Sequence, residues 1–233
     1  MRVGIVGAGI IGLYLARKLA QESHQVTVFE KRKEIGKKEC SGLFSERILE
    51  YIPESKKLIQ NKIDYSLIHF PKKTLKVGFQ KKFFVISHFE LDRLMGSLAE
   101  EAGAEIVLDH LVRSLPKDFD RVVGCDGPNS IIRRSLILPS PHFCLGIQGF
   151  VSRKDSSDFF ETWPTESGFI WKIPRGKEVE YGIMEELERA KSVLDEFLKN
   201  LCVYAHTTHF YSTLISRQLS KFSYTSLLNL DND

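Results

Sequence analysis

"VGIVGAGIIGLYLARKL", Val3–Leu19, decides the fold. Val3–Val6 reads as a short buried strand and Ile10–Ala20 as a helix, with Gly7, Gly9 and Gly12 spaced Gly-x-Gly-x-x-Gly between them. Gln25–Glu30, "QVTVFE", alternates β-branched residues as a second strand does, which completes one βαβ unit. Each glycine has a task in such a unit. Gly7 permits the tight turn after the strand, Gly9 lets backbone approach a pyrophosphate, and Gly12 lets helix and strand pack closely while the helix N-terminus faces the phosphates. Glu30 follows Gly12 by eighteen residues and ends the second strand, where its carboxylate is placed to accept hydrogen bonds from a ribose diol. A carboxylate there repels a 2′-phosphate, which argues against NADP but leaves NAD and FAD open.

Outward from this unit, Ser41–Tyr51 reads as a short helix stopped by Pro53, and Ile68–Ser87 as two strands, "IHFPKKTLKVGF" and "KKFFVIS". Phe89, Leu91, Leu94, Met95, Leu98, Ala99 and Ala102 recur at helical spacing over His88–Ala102, with Gly103 at the C-cap. Glu105–Leu108 and Arg121–Cys125 are the next strands. "RVVGCDGPNSIIRR", Arg121–Arg134, is a strand ending in Asp-Gly, a turn and a short helix. In isolation "CDGPNS" is a run of turn formers. After a βαβ unit, its carboxylate can reach a second part of a long cofactor, which an NAD domain does not need, and so it favours FAD.

Beyond Pro139-Ser140-Pro141 the character changes. "FCLGIQGFVS", "DFFETW", "GFIWKIP" and "EVEYGIME" read as antiparallel strands, Arg175-Gly176-Lys177 as a hairpin turn and Glu186–Leu201 as an amphipathic helix. The expected class is α/β, α+β overall: a Rossmann-like FAD-binding domain of discontinuous sequence (1–67 and 88–140) with a mostly antiparallel substrate domain (68–87 and 141–222), and 223–233 returning to the first.

The 233 residues suffice for a sizeable core, and 42% hydrophobic with 27% charged is ordinary globular composition. A net charge of +3 gives no reason to expect nucleic acid. The lysine pairs scattered along the chain read as solvated loops or as weak attraction to anionic lipid head groups. Cys40, Cys125, Cys144 and Cys202 have neither Cys-x-x-Cys spacing nor a histidine at ligand spacing, so no metal site or disulfide framework is expected. The isolated cysteines make a reducing cytosol the expected place, and because no apolar run has the length of a membrane span, any membrane contact is expected to be peripheral. No Ser/His/Asp or paired-carboxylate arrangement supports hydrolysis. Cys40 in "KKECSGLFS" (Lys37–Ser45) reads as a packing residue or as a thiol beside a flavin.

Over most of its length the chain resembles the geranylgeranyl reductase family of FAD-dependent oxidoreductases, in the p-hydroxybenzoate hydroxylase-like group, with the archaeal digeranylgeranylglycerophospholipid reductases the nearest fit. The residues that carry the resemblance are Gly7-Ala8-Gly9-Ile10-Ile11-Gly12 with Glu30, Cys40-Ser41-Gly42-Leu43, Leu91-Asp92-Arg93 with "LAEEAGAEI", Cys125-Asp126-Gly127 with Ser130 and Arg133, and Phe169-Ile170-Trp171-Lys172-Ile173-Pro174. The resemblance implies saturation of isoprenoid double bonds in membrane lipids by reduced FAD, with electrons from a reduced nicotinamide or a ferredoxin. It implies cofactor contacts from Gly7, Gly9, Ile11, Gly12, Glu30 and Lys31, from Cys40, Ser41 and Gly42, from His88 and Val112, and from Asp126 and Gly127. Cys40 is the candidate catalytic group beside the flavin, and Phe169, Trp171 and Pro174 the candidate lipid pocket.

Three features depart from the family pattern. His88 stands where the family has Arg, Phe169 and Ile173 replace Tyr and Phe, and after "LLNLDND" the family runs on through a Gly-Asp-Ala motif. The last implies a C-terminally truncated chain that turns over lipid more slowly than a full-length relative. An FAD-dependent aromatic monooxygenase and an inactive remnant binding part of FAD or a lipid are the alternatives.

Overall fold

In the computed structural model, residues 1–217 are described. The expected segment 223–233, and the last residues of the expected substrate domain, lie outside them. β1 (Arg2–Val6), α1 (Ile10–Gln21) and β2 (Gln25–Phe29) form the βαβ unit, β1 and β2 pairing in parallel from Arg2 opposite Gln25 to Val6 opposite Phe29.

The chain then leaves this unit. β3 (Leu43–Ser45) is followed by α2 (Ile48–Tyr51), a 3₁₀ turn, and the long hairpin of β4 (Ile59–Phe70) and β5 (Lys73–Ile86). Two expectations are corrected here. Leu43–Ser45 is a strand and not the start of a helix, because it pairs with Phe83–Val85 of β5, and the residue before it, Gly42, has a φ of +65° that no helix continues. The hairpin turns at Pro71-Lys72 and not near Gln80. β4 begins nine residues before Ile68, and β5 continues through Gly78, with the ladder shifting register between Ile59 and Asn61 and again between Ile63 and Tyr65.

The chain returns through α3 (His88–Glu101), β6 (Glu105–Val107), β7 (Arg121–Gly124) and α4 (Ile131–Ser135). Ser87 caps α3 by accepting from the N–H of Glu90, and Gly103 ends it at φ +99°. The four parallel strands stand in the order β6-β2-β1-β7. Leu13 and Ala16 of α1 and Leu91, Met95 and Ala99 of α3 are buried with Val3, Ile5, Val26 and Val28 of the sheet.

The remaining elements are β8 (His142–Val151), β9 (Phe159–Pro164), β10 (Phe169–Pro174), β11 (Val179–Glu185), α5 (Ala190–Asn200) and β12 (Thr207–Arg217). They join the hairpin in one eight-stranded sheet, β12-β8-β11-β10-β9-β4-β5-β3, antiparallel except where β4 runs parallel to β9. α5 starts four residues later than its amphipathic pattern implied. Ala190, Leu194 and Leu198 bury one face of the sheet at Ile147, Ile170, Val179, Tyr181 and Ile183. Because neighbours along a strand point to opposite faces, the alternate residues Gln148, Phe160, Trp171, Ile173 and Met184 lie on the other face, which is left to line a cavity.

Candidate active site

The site begins at the glycine turn. Gly7 has φ +106°, and a Cβ on Gly12 would fall 2.1 Å from the Gly7 carbonyl oxygen, so helix and turn meet at a distance only hydrogen allows. A Cβ on Gly9 would meet nothing within 4 Å. That open space lies at the N-terminus of α1, whose first turn carries no acidic residue and no side-chain cap. Such a terminus presents unpaired N–H groups and the positive end of the helix dipole. Ile11 stands in this turn with its side chain exposed.

Glu30 is 7% exposed. Its Oε2 accepts from the Ala8 N–H at 2.8 Å and its Oε1 from the Arg32 N–H at 3.0 Å, leaving lone pairs on each oxygen. Lys31 beside it is exposed. The Glu30 carbonyl accepts from the N–H of His110, two residues before Val112, which places the Val112 segment next to the acid.

The turn also packs on the second motif. A Cβ on Gly7 would lie 2.3 Å from the Cys125 carbonyl oxygen and 2.9 Å from the Asp126 Cα. Asp126 Oδ2 accepts from the N–H of Ile131 at 2.6 Å. Its Oδ1 is buried with no hydrogen-bond partner among the described residues, although a buried carboxylate oxygen costs free energy unless something donates to it. Gly127 turns at φ +79°, and Pro128 reaches the rim of the cavity.

That cavity is about 800 Å³. Phe160, Phe169, Trp171, Ile173 and Met184 supply apolar wall, Gly146, Ser66 and Thr162 supply space, and Lys37, Cys40 and Ser41 stand at its edge. Phe169 and Trp171 lie side by side with ring centroids 5.9 Å apart. Pro174 is not in the wall. It ends β10, buried, with its carbonyl accepting from Asn61 Nδ2 at 3.0 Å. Cys40 also lines a second, smaller cavity of about 240 Å³, with Lys38, Gln60, Ser87, His88 and Glu178. Burial pushes the Cys40 thiol above its ordinary value, against the backbone N–H of Gly42 and the nearby Lys37, which pull it down. Burial, reinforced by Asp126, raises Cys125 too.

The loop carrying Cys40 is held from several sides. The Ile86 N–H donates to the Gly42 carbonyl at 2.8 Å, Gln148 Nε2 to the Lys38 carbonyl at 2.6 Å, and Arg175 Nη2 to the Ser41 carbonyl at 2.6 Å. Arg175 also donates through Nε to Glu180 at 2.8 Å and through Nη1 to Gln60 at 2.7 Å, while Glu180 accepts from the Trp171 indole at 2.7 Å. Sequence reasoning assigned Arg175 only to a turn and passed over Glu180, Gln148 and Gln60. His88 lies inward, 6% exposed, its Nδ1 3.2 Å from Asp92 Oδ2 and its ring 6.0 Å from that of Phe44.

Glu30, the glycine turn, Asp126 and Pro128 thus make one path from the end of β2 to the apolar cavity. A cofactor with a ribose and pyrophosphate at one end and a redox ring at the other fits it. Glu30 retains acceptors for the diol, the N-terminus of α1 is open to a pyrophosphate, and Asp126 Oδ1 awaits a donor.

Comparison with known proteins agrees. The family model of the NAD(P)-binding Rossmann-like domain matches residues 5–39. Kynurenine 3-monooxygenase of Christiangramia forsetii is 27% identical over 219 residues, 74% of this chain and 48% of that protein. Digeranylgeranylglycerophospholipid reductase of Picrophilus torridus is 23% identical, covering 84% of this chain and 60% of that one. The chain therefore spans about half the length of the curated relatives it matches. A geranylgeranyl bacteriochlorophyll reductase-like protein from Thermoplasma acidophilum superposes with a TM-score of 0.79 at 20% identity, over 92% of this chain and 66% of that one. Structures of FAD-dependent monooxygenases and halogenases share the fold as well. The chain accordingly has a Rossmann-like segment that matches the NAD(P)-binding family model and the fold seen in FAD-dependent oxidoreductases, and it is similar to geranylgeranyl reductases and to kynurenine 3-monooxygenases.

Proposed function

We propose that this chain binds FAD along the path from Glu30 to Pro128 and, as a reductase, saturates double bonds of an isoprenoid lipid chain held in the large cavity. The observation that carries the reading is that cavity. Its volume lies in the range of ligand pockets, about 300–1,000 Å³, and its wall is apolar and aromatic, with the half-buried Cys40 thiol and the Cys40–Gly42 loop at the edge. Such a wall suits a hydrocarbon chain better than a polar metabolite, whose donors and acceptors would go unpaired.

Reduced FAD, when bound, supplies the hydride. The protein's share is to hold the alkene against the ring and exclude water. Phe169, Trp171 and Ile173 desolvate the chain. Cys40 keeps its proton because burial raises its pKa, and on this reading the thiol at the cavity edge gives that proton to the second alkene carbon. Its position on the wall of the smaller, more polar cavity offers a route for reprotonation. The electron donor on this reading is a reduced nicotinamide or a ferredoxin.

The test is anaerobic. The chain is reconstituted with FAD, reduced with dithionite and mixed with a geranylgeranyl glycerophospholipid. Flavin reoxidation with a mass gain of two hydrogens per double bond is expected, and Cys40→Ser should slow it without emptying the flavin site. The kynurenine 3-monooxygenase relatives favour a second reading, hydroxylation of an aromatic ring. Product that forms only with oxygen would establish that reading instead, and stoichiometric flavin without turnover of either kind would leave a binding protein.

A further inference from the structure

The outer half of the β4–β5 hairpin carries the wall of the large cavity out to the surface. In its ladder Ser66 stands opposite Val77, Ile68 opposite Leu75 and Phe70 opposite Lys73. Directly paired residues share a face, and so do alternate residues along each strand. Ser66 and Ile68 line the cavity. Leu75, Val77 and Phe70 therefore continue the same face beyond it, yet they are 40%, 39% and 40% exposed. On its outer side β5 is covered by β3 only at Phe83–Val85, so from Lys73 to Gly78 it is an open edge.

The same segment is uniformly basic. From Tyr65 to Phe89 there is no Asp or Glu. Lys81 and Lys82 are engaged with Glu50 and Asp64. Lys72 and Lys73 at the turn have no carboxylate within 4 Å among the described residues, and Lys76 lies over the ring of Tyr65 at 3.7 Å. A second copy of the chain is a poor occupant for this edge, since self-pairing would set these lysines against their own images. An anionic bilayer surface satisfies both features at once. Exposed apolar side chains enter the head-group layer, and each nearby lysine adds electrostatic attraction.

We propose that the tip of the β4–β5 hairpin docks the protein on an anionic lipid bilayer, with Phe70, Leu75 and Val77 in the head-group layer and Lys72, Lys73 and Lys76 on the lipid phosphates. The cavity wall then opens directly towards the lipid. This goes beyond the reductase reading and needs no flavin or turnover, so the failure of one is a separate result from the failure of the other.

The experiment is co-sedimentation of the full chain with phosphatidylcholine vesicles, without and with three-tenths phosphatidylglycerol, at low and high salt. Binding to the anionic vesicles alone, weakened by salt, is expected. Lys72→Gln/Lys73→Gln/Lys76→Gln should lower partitioning by roughly a hundredfold, and Leu75→Ser/Val77→Ser should lower it without abolishing the salt dependence. Both variants change exposed positions, and an unchanged circular dichroism melt shows that they fold. Equal binding to both vesicle types, no binding, or binding that neither variant weakens would overturn the proposal. A wild-type dimer in sedimentation equilibrium that Leu75→Ser/Val77→Ser dissociates would overturn it in favour of a second copy.

Discussion

Arg175 shows how much one side chain holds in place. Buried beside Phe150, it links the Ser41 carbonyl, Gln60 and Glu180, and Glu180 links on to Trp171. Burial drives the Glu180 pKa up while Arg175 and the Trp171 indole draw it down, so removing the cation leaves a carboxylate with too little compensation. Arg175→Met should cost about 3–5 kcal/mol in a denaturant melt, and Arg175→Met/Glu180→Gln should recover part of that. If the single variant melted like wild type, the pair would be idle. Cys40 gives a pH prediction. Its pKa is raised in the folded chain, so the fold favours the protonated thiol, and this contribution to stability is lost as pH rises from the ordinary thiol value through the folded one. Alkylation by iodoacetamide, followed by mass spectrometry of the Cys40 peptide, should remain slow at pH 8 and rise only above the pH at which the unfolded chain reacts. Glu30→Ala should weaken FAD binding by about 1.5–3 kcal/mol in calorimetry, by removing an ionised acceptor and freeing the Ala8 and Arg32 N–H groups. The place of Glu30 beside the glycine turn was legible because it follows from the distance to a local motif. Arg175 was not, because its partners Ser41 and Gln60 lie more than a hundred residues away and nothing local marks a turn arginine as buried; Glu180 was missed with it, since the cation it pairs with is that same arginine.

At the scale of elements, legibility followed the range of pairing. β1, α1, β2 and α3 read correctly because strand, turn and helix signals lie within each one. β3 and the start of β4 did not, since Leu43–Ser45 becomes a strand only through β5, and Ile59–Leu67 has mixed polar alternation that reads as a strand only beside β5 and β9. The fit between α1 and β1 gives a test of the glycine turn. Gly12→Ala sets a methyl 2.1 Å from the Gly7 carbonyl oxygen, which should cost about 1–3 kcal/mol of stability by overpacking and reduce FAD occupancy measured by absorbance. Full occupancy and an unchanged melt would show that the helix has room to shift. On the sheet, a Cβ at Gly182 would lie 2.2 Å from the Trp171 ring, so this one small residue seats the aromatic floor of the cavity.

For the whole molecule, the two sheets are not two consecutive pieces of chain. β3, β4 and β5 leave the Rossmann unit between β2 and α3 and take their places in the large sheet, where β4 runs beside β9. A fragment of residues 1–140 would keep the parallel sheet but leave β4 without β9. It should be less soluble than the whole chain and aggregate on concentration, as light scattering would report. Monodisperse fragment would show that the hairpin is self-sufficient. The described residues contain no helix long and apolar enough to cross a membrane.

The parallel seam between β4 and β9 also sets a clock on synthesis. Tyr65 pairs with Phe159 and Ile68 with Thr162, so β4 leaves the ribosome long before its neighbour exists. At about 5–20 residues per second, the ninety or so residues between them take roughly 5–20 s. Throughout that interval the nascent chain shows a hairpin edge to every chaperone and every other nascent chain in reach. The yield of folded protein should therefore respond to translation speed and chaperone supply more than to any single contact in the finished structure.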